Sequence, residues 1–331
     1  MTRFSVVLAT RNRPQLFYQA ILSVLKQTVE DIEIVVVNDG SDDEHIVCYN
    51  LVIASANRKI QSLSLVRRPS GHGQSYSLNF GVSYATGQYI CFLDDDDMWT
   101  DDEYLARISA AIASSNTSPD IIFSNQTAYV GDQKKLGPIW LDDLAYQLQA
   151  SGRRVQSNGH FPVSIADLLR SGGFCHLNTM IVRRTLYDSV NGMDEGLRWE
   201  CDHDLFLRLI DRAKSMELSP RVVSRHNIPD PHSDTSMTTS LNEIQRRLYQ
   251  LRVFDKACLF ASHSSIRRYG RQQKGYALKR IAEELAAQRD YSSASFYACE
   301  ALTVKPTLKW TFYSGLLLLK SLLGGVRIGW N

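Results

Sequence analysis

Five residues suited to the inside of a sheet, Tyr89-Ile90-Cys91-Phe92-Leu93, run straight into four carboxylates, Asp94-Asp95-Asp96-Asp97, and then Met98-Trp99. The apolar run has to be buried, while four adjacent acids repel one another unless they are solvated or neutralised by a cation. A core strand must therefore end at a sheet edge that carries clustered negative charge. Hard divalent cations such as Mg2+ or Mn2+ take oxygen ligands of this kind and share them with substrate phosphates. The same acids would also serve as a solvated turn capping the next helix, with Thr100, Asp101 and Asp102 at its start. The order strand, acids, aromatic favours a ligand site, because open α/β sheets bind at the carboxyl ends of their strands.

Short apolar runs alternate with helical patterns through the first half. Phe4–Ala9 and Ile32–Val37 read as buried parallel strands, and between them Gln15–Gln27 carries apolar residues at helical spacing. A run at Leu63–Val66, a helix over Gln74–Ala85 and the strand Tyr89–Leu93 follow, with further strands at Ile121–Phe123, Met180–Val182 and near Arg221–Ser224, and a helix at Asp202–Ala213. This alternation predicts right-handed crossovers and an α/β, Rossmann-like, mainly parallel sheet with flanking helices. Residues 131–163 read as an irregular loop or lid, and Asn227–Ser236 as a loop, with His226 and His232 flanking Pro229-Asp230-Pro231. From about 241 the pattern is helical, with a hairpin of Gln272–Gln288 and Tyr291–Thr303. Domains are thus expected at 1–240 and 241–331.

Over 331 residues, 44% apolar content and 22% charge describe an ordinary globular protein with a sizeable core. The net charge of +2 divides unevenly. Residues 1–240 hold 22 Lys/Arg against 29 Asp/Glu, and residues 241–331 hold 15 against 6. The basic tail is expected to meet either an anionic membrane surface or the acidic body. Trp310–Leu319 is too short to span a bilayer, so it belongs to the core or lies at an interface with Trp310, Tyr313 and Trp330. Six scattered cysteines make neither a zinc pattern nor a disulfide framework, and no apolar core of a signal peptide follows Met1. A cytoplasmic protein, at most peripheral to the membrane, is expected. No feature asks for nucleic acid.

Four candidate elements fall at strand ends: Thr10-Arg11-Asn12-Arg13, Asn38-Asp39-Gly40-Ser41, the basic glycine loop Arg67-Arg68-Pro69-Ser70-Gly71-His72-Gly73, and the Asp run. The glycine loop precedes a helix and suits an anion. Further on, Glu200-Cys201-Asp202-His203 opens a helix, where a carboxylate serves either as a base or as a dipole partner.

Taken in order, these motifs, with Gly192-Met193-Asp194-Glu195 and the Asp202 helix, resemble family 2 inverting glycosyltransferases of GT-A fold over roughly residues 3–240. The resemblance implies that Thr10, Asn12 and Asp39 hold the nucleotide of a sugar-nucleotide donor, UDP favoured over dTDP or GDP. Asp94 and Asp96 match the ends of the Asp-x-Asp motif, facing ribose and metal–diphosphate, with Asp95 between them on the donor side. His226 matches a late metal-binding His, and Mn2+ or Mg2+ is the implied ion. Asp202 matches the catalytic base. Two departures stand out: Ser77-Leu78-Asn79 replaces an Ala-Arg-Asn, so Arg67 or Arg68 is expected to supply the missing cation, and Cys201 replaces the usual Glu before Asp202. The implied acceptor is a glycan or lipid-linked glycan of a bacterial surface. A nucleotidyltransferase would want a Gly- and Lys-rich loop after the first strand, which Thr10–Pro14 lacks. A degenerate sugar-nucleotide-binding module would be expected to have lost the metal acids or Asp202.

Overall fold

The computed structural model describes residues 3–115, 118–135, 140–141, 143–170, 174–228 and 241–324. His232 and Trp330 lie outside them. The chain divides into two compact units, Met1–Asp230 and Pro231–Asn331.

The first unit is built on one sheet. Its strands are β1 (Phe4–Thr10), β2 (Ile32–Asn38), β3 (Ile60–Ser64), β4 (Tyr89–Phe92), β5 (Met98–Trp99), β6 (Ile121–Val130), β7 (Gln133–Lys134), β8 (Phe161–Pro162), β9 (Met180–Arg183) and β10 (Met216–Ile228). The order is β3-β2-β1-β4-β9-β6-β10-β5, with β7 on β6 and β8 on β10. Strands β3, β2, β1 and β4 are parallel, as are β6 and β10, and β9 runs antiparallel between β4 and β6. The α/β architecture expected from the alternation is present. Helices α1 (Pro14–Leu25), α2 (Asp43–Ala54), α3 (Gln74–Tyr84), α4 (Tyr104–Ser114), α5 (Leu144–Ala150), α6 (Ile165–Arg170), α7 (Arg184–Ser189) and α8 (Cys201–Arg212) complete it. Helix α1 turns Phe17, Ala20, Ile21 and Val24 into a core shared with Phe4, Val6 and Leu8 of β1 and with Leu105 and Ile108 of α4. Those spacings of three and four residues are why α1 forms where it does.

Several boundaries differ from the sequence reading. The third strand is Ile60–Ser64 rather than Leu63–Val66, because its register on β2 runs Ile34↔Ile60 to Asn38↔Ser64 and leaves Val66 exposed. Strand β10 is much longer than Arg221–Ser224, because register shifts between Leu218 and Ser224 carry it past Pro220 as a bulge. Asn227 and Ile228 therefore belong to a strand, not a loop. Residues 131–163 are not irregular throughout: α5 buries Leu144 and Leu148, and β8 buries Phe161 against β10.

The second unit consists of α9 (Glu243–Phe260), α10 (Ser264–Ala287), α11 (Tyr291–Val304) and α12 (Leu308–Gly324), each packed on the next in sequence. The expected hairpin is α10–α11. Gly270 lets α9 and α10 approach closely, since a Cβ there would sit 2.9 Å from Ala257 Cβ and 3.0 Å from the Phe254 carbonyl. Leu278, Ala282, Ala294, Ala298, Ala301, Trp310 and Leu317 form the core of this unit. Trp310 is thus a core residue rather than an interfacial anchor: it is 7% exposed, and its indole N–H donates to the Ala298 carbonyl at 3.0 Å. On the opposite side of α12, Leu308, Phe312, Leu316, Leu319, Leu322 and Leu323 are exposed. No described helix is long and apolar enough to cross a membrane.

Candidate active site

Strand register brings the site together. Parallel pairing of β1 with β4 sets the Thr10–Arg13 turn beside the Asp run. Antiparallel pairing of β9 with β4, Cys91↔Ile181, sets the residues just before β9 on the other side, and the Asp94 N–H donates to Asn178 Oδ1 at 2.9 Å. Pairing of β5 with β10, Met98↔Arg225, then delivers His226 and Asn227 to Asp97.

The four acids are not equivalent. Asp95 and Asp97 are buried, at 1% and 0% side-chain exposure, whereas Asp94 and Asp96 keep 18% and 24%. Asp95 accepts from Thr10 Oγ1 at 2.6 Å and pairs with the Arg13 guanidinium, which also reaches Asp96 at 2.9 Å. Burial pushes the Asp95 carboxyl up to about 7 against the pull of Arg13. Asp95 and Thr10, expected on the donor side, are both buried. Each spends its polar atoms on the other and on Arg13 and Tyr49, beneath the surface.

Asp97 orients a histidine. It accepts the Asn227 N–H at 2.7 Å, the Asn178 amide, and His226 Nδ1 at 2.7 Å. Burial works against a charged imidazole at His226, but the hydrogen bond and charge of Asp97 outweigh it and raise the pKa. With Nδ1 donating to a carboxylate, the Nε2 lone pair of the neutral ring is left for a ligand, as in metal-bound histidines whose other nitrogen a carboxylate orients. Asp94, Asp96 and Asp97 place oxygens within 4.8 Å of one another, as do the ligand atoms of Asp97, His176 and His226. Burial, and then the charges of Asp96, Asp97 and Asp95, hold the Asp94 carboxyl well above its ordinary range. An excess of acids that repel one another, beside a pre-set imidazole, is a donor set that suits a divalent cation.

Asp39 is held by the basic glycine loop. The backbone N–H groups of His72 and Gly73 donate to its carboxylate at 2.8–2.9 Å, and His72 Nδ1 lies 2.8 Å away. Gly73 caps α3, so the anion at this helix start is Asp39 itself rather than a phosphate. Gly71 has φ +63, and a Cβ there would lie 2.6 Å from Asp39 Oδ2. Asn12, at φ 55, bonds through its amide to Asp42 at 3.0 Å and through its N–H to Ser41 at 3.0 Å. Arg67 pairs with Asp42 at 2.6 Å, and the Arg68 carbonyl accepts from Arg11 at 3.1 Å. Asn12 and Arg67 thus meet at Asp42, while Asp39 closes the glycine loop. Leu78, which stands where the resembled motif carries its arginine, is buried, and the neighbouring Asn79 pins the Met193 turn and Glu195. Arg198, 2.6 Å from a Cβ placed on Gly73, is the cation on that side that the motifs did not single out.

The last component is α8. Glu200 precedes it in the left-handed conformation, φ 61, and its carboxylate pairs with His203 Nδ1 at 2.8 Å. Asp202 accepts the His203 N–H at 2.9 Å, and burial, followed by the Glu200 charge, pushes its carboxyl up to about 6. A carboxylate tuned there is ionised at neutral pH yet basic enough to take a proton. The thiol of Cys201 reaches Gln74 Oε1 at 3.5 Å, and Gln74 Nε2 donates to Asp94 at 2.6 Å. Helix α8 is thereby linked to the acid cluster. His176 and Trp140 were not singled out from the sequence. The Trp140 ring lies 5.7 Å from the His176 ring and 5.1 Å from that of His226.

The α/β sheet with clustered strand-end acids and a separate raised carboxylate has a GT-A-like fold. Residues 5–166 match the family model of glycosyl transferase family 2. It is 32% identical over 155 residues to an uncharacterized glycosyltransferase of Nostoc sp., covering 45% of this chain and 46% of that relative. Among solved structures it resembles S. aureus TarS 1–349 in complex with UDP-GlcNAc, with TM-score 0.64 and 15% identity over 97% of this chain and 88% of that one. It also resembles the mannosyltransferase PcManGT of Pyrobaculum calidifontis in complex with GDP-Man and Mn2+, with TM-score 0.56 and 15% identity over 99% and 88%. At such identities the two structures establish the shared fold.

Proposed function

We propose that this chain transfers a sugar from a nucleotide-sugar donor to an acceptor hydroxyl with inversion at the anomeric carbon, in a Mn2+- or Mg2+-dependent reaction. The observation that carries the reading is Asp202: a partly buried carboxylate pushed up to about 6 and linked through Cys201 and Gln74 to the Asp94 cluster. Asp94, Asp96 and His226 would hold the cation. A bound cation supplies charge neutralisation of the diphosphate leaving group. Asn12 and Asp39 line the nucleotide side, with Arg67 and Arg68 near it. Asp202 takes the proton of the acceptor hydroxyl as its oxygen bonds to the anomeric carbon on the face opposite the nucleotide. The bond from that carbon to the diphosphate breaks, and the nucleoside diphosphate leaves with the electron pair. One displacement inverts configuration with no covalent enzyme intermediate.

The donor is expected to be a UDP sugar before a GDP or dTDP sugar. TarS with UDP-GlcNAc and PcManGT with GDP-Man support the class of donor without choosing the sugar. A glycan or lipid-linked glycan of a bacterial surface is the proposed acceptor. Trp140, which packs against His176 and His226, supports residues 131–163 as a lid that excludes water. The exposed apolar side of α12 and the excess of Lys and Arg after 241 support peripheral binding to an anionic membrane. The direct test is a nucleotide-sugar hydrolysis and transfer screen with Mn2+, followed by NMR of the product anomer. Retention of configuration, or no turnover with any donor, would overturn the reading.

A further inference from the structure

We propose that His176 is a ligand of the donor-site cation, and that it tilts the site toward Mn2+ and away from Mg2+. The inference rests on the metal-dependent reading above and adds to it a residue outside the Asp run and His226. His176 enters from the turn before β9. It comes from the segment that leads into the antiparallel strand splitting the parallel sheet. Its Nδ1 is buried with no hydrogen-bond partner among the described residues. Its Nε2 stands 3.6 Å from Asp94 Oδ2, too far for a hydrogen bond. Two neighbouring ligands of one octahedral ion with bonds of about 2.1 Å lie about 3 Å apart, so a small closure places both on a shared cation. A ring nitrogen of His176 also lies within 4.8 Å of the ligand atoms of His226 and Asp97.

The surroundings fit a ligand better than a charged or hydrogen-bonding residue. The ring centroids of His176 and His226 are 4.9 Å apart, and Trp140 packs against both. Two close imidazoles beside an aromatic wall repel each other if protonated and converge if they share a metal. Carboxylates and water suit Mg2+, whereas imidazole suits first-row transition ions. Adding a second nitrogen to Asp94, Asp96 and His226 therefore raises affinity for Mn2+ more than for Mg2+.

The experiment uses the full chain with MnCl2 or MgCl2, with and without UDP, by isothermal titration and by pulsed EPR of bound Mn2+. Wild type should show nitrogen couplings from two histidines, and His176→Gln from one. His176→Gln and His176→Ala should lose at least about tenfold in Mn2+ affinity with little change for Mg2+. One histidine coupling in wild type, or an unchanged Mn2+ affinity in a folded variant, overturns the assignment of His176 while leaving the metal site standing. Equal losses for both ions also overturn it, since they report distortion rather than ligation. A wild type that binds neither ion, with or without UDP, instead sinks the metal-dependent reading as a whole. The EPR on wild type needs no variant, so misfolding cannot shield the inference.

Discussion

Replacing Asp202 by Asn should damage turnover and strengthen the fold at the same time. The native carboxyl is pushed up to about 6 from an ordinary 3.8, a difference of roughly two units. Each unit corresponds to about 1.4 kcal/mol. A group whose native pKa is raised favours the native state fully below its unfolded pKa, and that advantage is lost as pH rises through the native value. Above pH 6 the ionised Asp202 thus costs the fold up to about 3 kcal/mol, and solvent reaching this partly buried side chain trims the figure to about 1–3. An amide of the same shape removes the cost. At pH 7.5, Asp202→Asn should therefore melt about 3–10 °C above wild type, given roughly 2–4 °C per kcal/mol for a unit of this size. The gap should close at pH 4. Loss of the general base should lower turnover about 10²–10⁴-fold, and the wild-type rate should fall as pH drops below about 6. Scanning calorimetry at several pH values, paired with transfer assays, provides both readouts. An Asn variant that melts below wild type throughout pH 5–8, or keeps wild-type turnover, would refute the reasoning.

Asp96→Ala should abolish Mn2+-dependent UDP binding in a folded protein, because the accessible acid of the Arg13 pair is lost; calorimetric titration checks it. Arg13→Met leaves the buried Asp95 without its cation and should destabilise the first unit by about 3–5 kcal/mol, read from urea unfolding at neutral pH. Phe312→Ser with Leu319→Ser on the exposed side of α12 should reduce co-sedimentation with anionic liposomes at low salt while leaving transfer to a soluble acceptor unchanged. Equal sedimentation of wild type and this double variant would remove the membrane proposal.

Much of the fold was legible because its core strands are apolar without interruption. Phe4–Ala9, Ile32–Val37 and Tyr89–Leu93 were found nearly to the residue, since parallel strands covered on both faces carry no polar alternation to confuse the reading. What escaped was polar. Strand β6 continues from Phe123 through Ser124, Asn125, Gln126 and Thr127, which no hydrophobic pattern marks as strand. Helix α2 buries little besides Tyr49, so its periodicity was silent. The site followed the same logic. Contiguous motifs pointed to the acids and to Asp202, but not to which acids face outward, because Arg13 and Thr10 claim Asp95 only through the β1–β4 register. His176 had no local signal at all: its relevance comes from the antiparallel pairing of Cys91 with Ile181, 90 residues downstream.

The capture of Asp39 by His72 and Gly73 bears on how such an enzyme could be redesigned. One carboxylate closes the glycine loop, faces the start of α3 and sits on the proposed nucleotide side. A nucleobase that needs this carboxylate must share it with three donors already in place, so donor preference there is a difference between two occupied states. Libraries that vary residue 39, or residues 71–73, would therefore yield unfolded loops more often than new specificities. Arg67, Arg68 and Arg198 border the same region without closing it, and they are the positions where the choice of donor can drift at little risk to the scaffold.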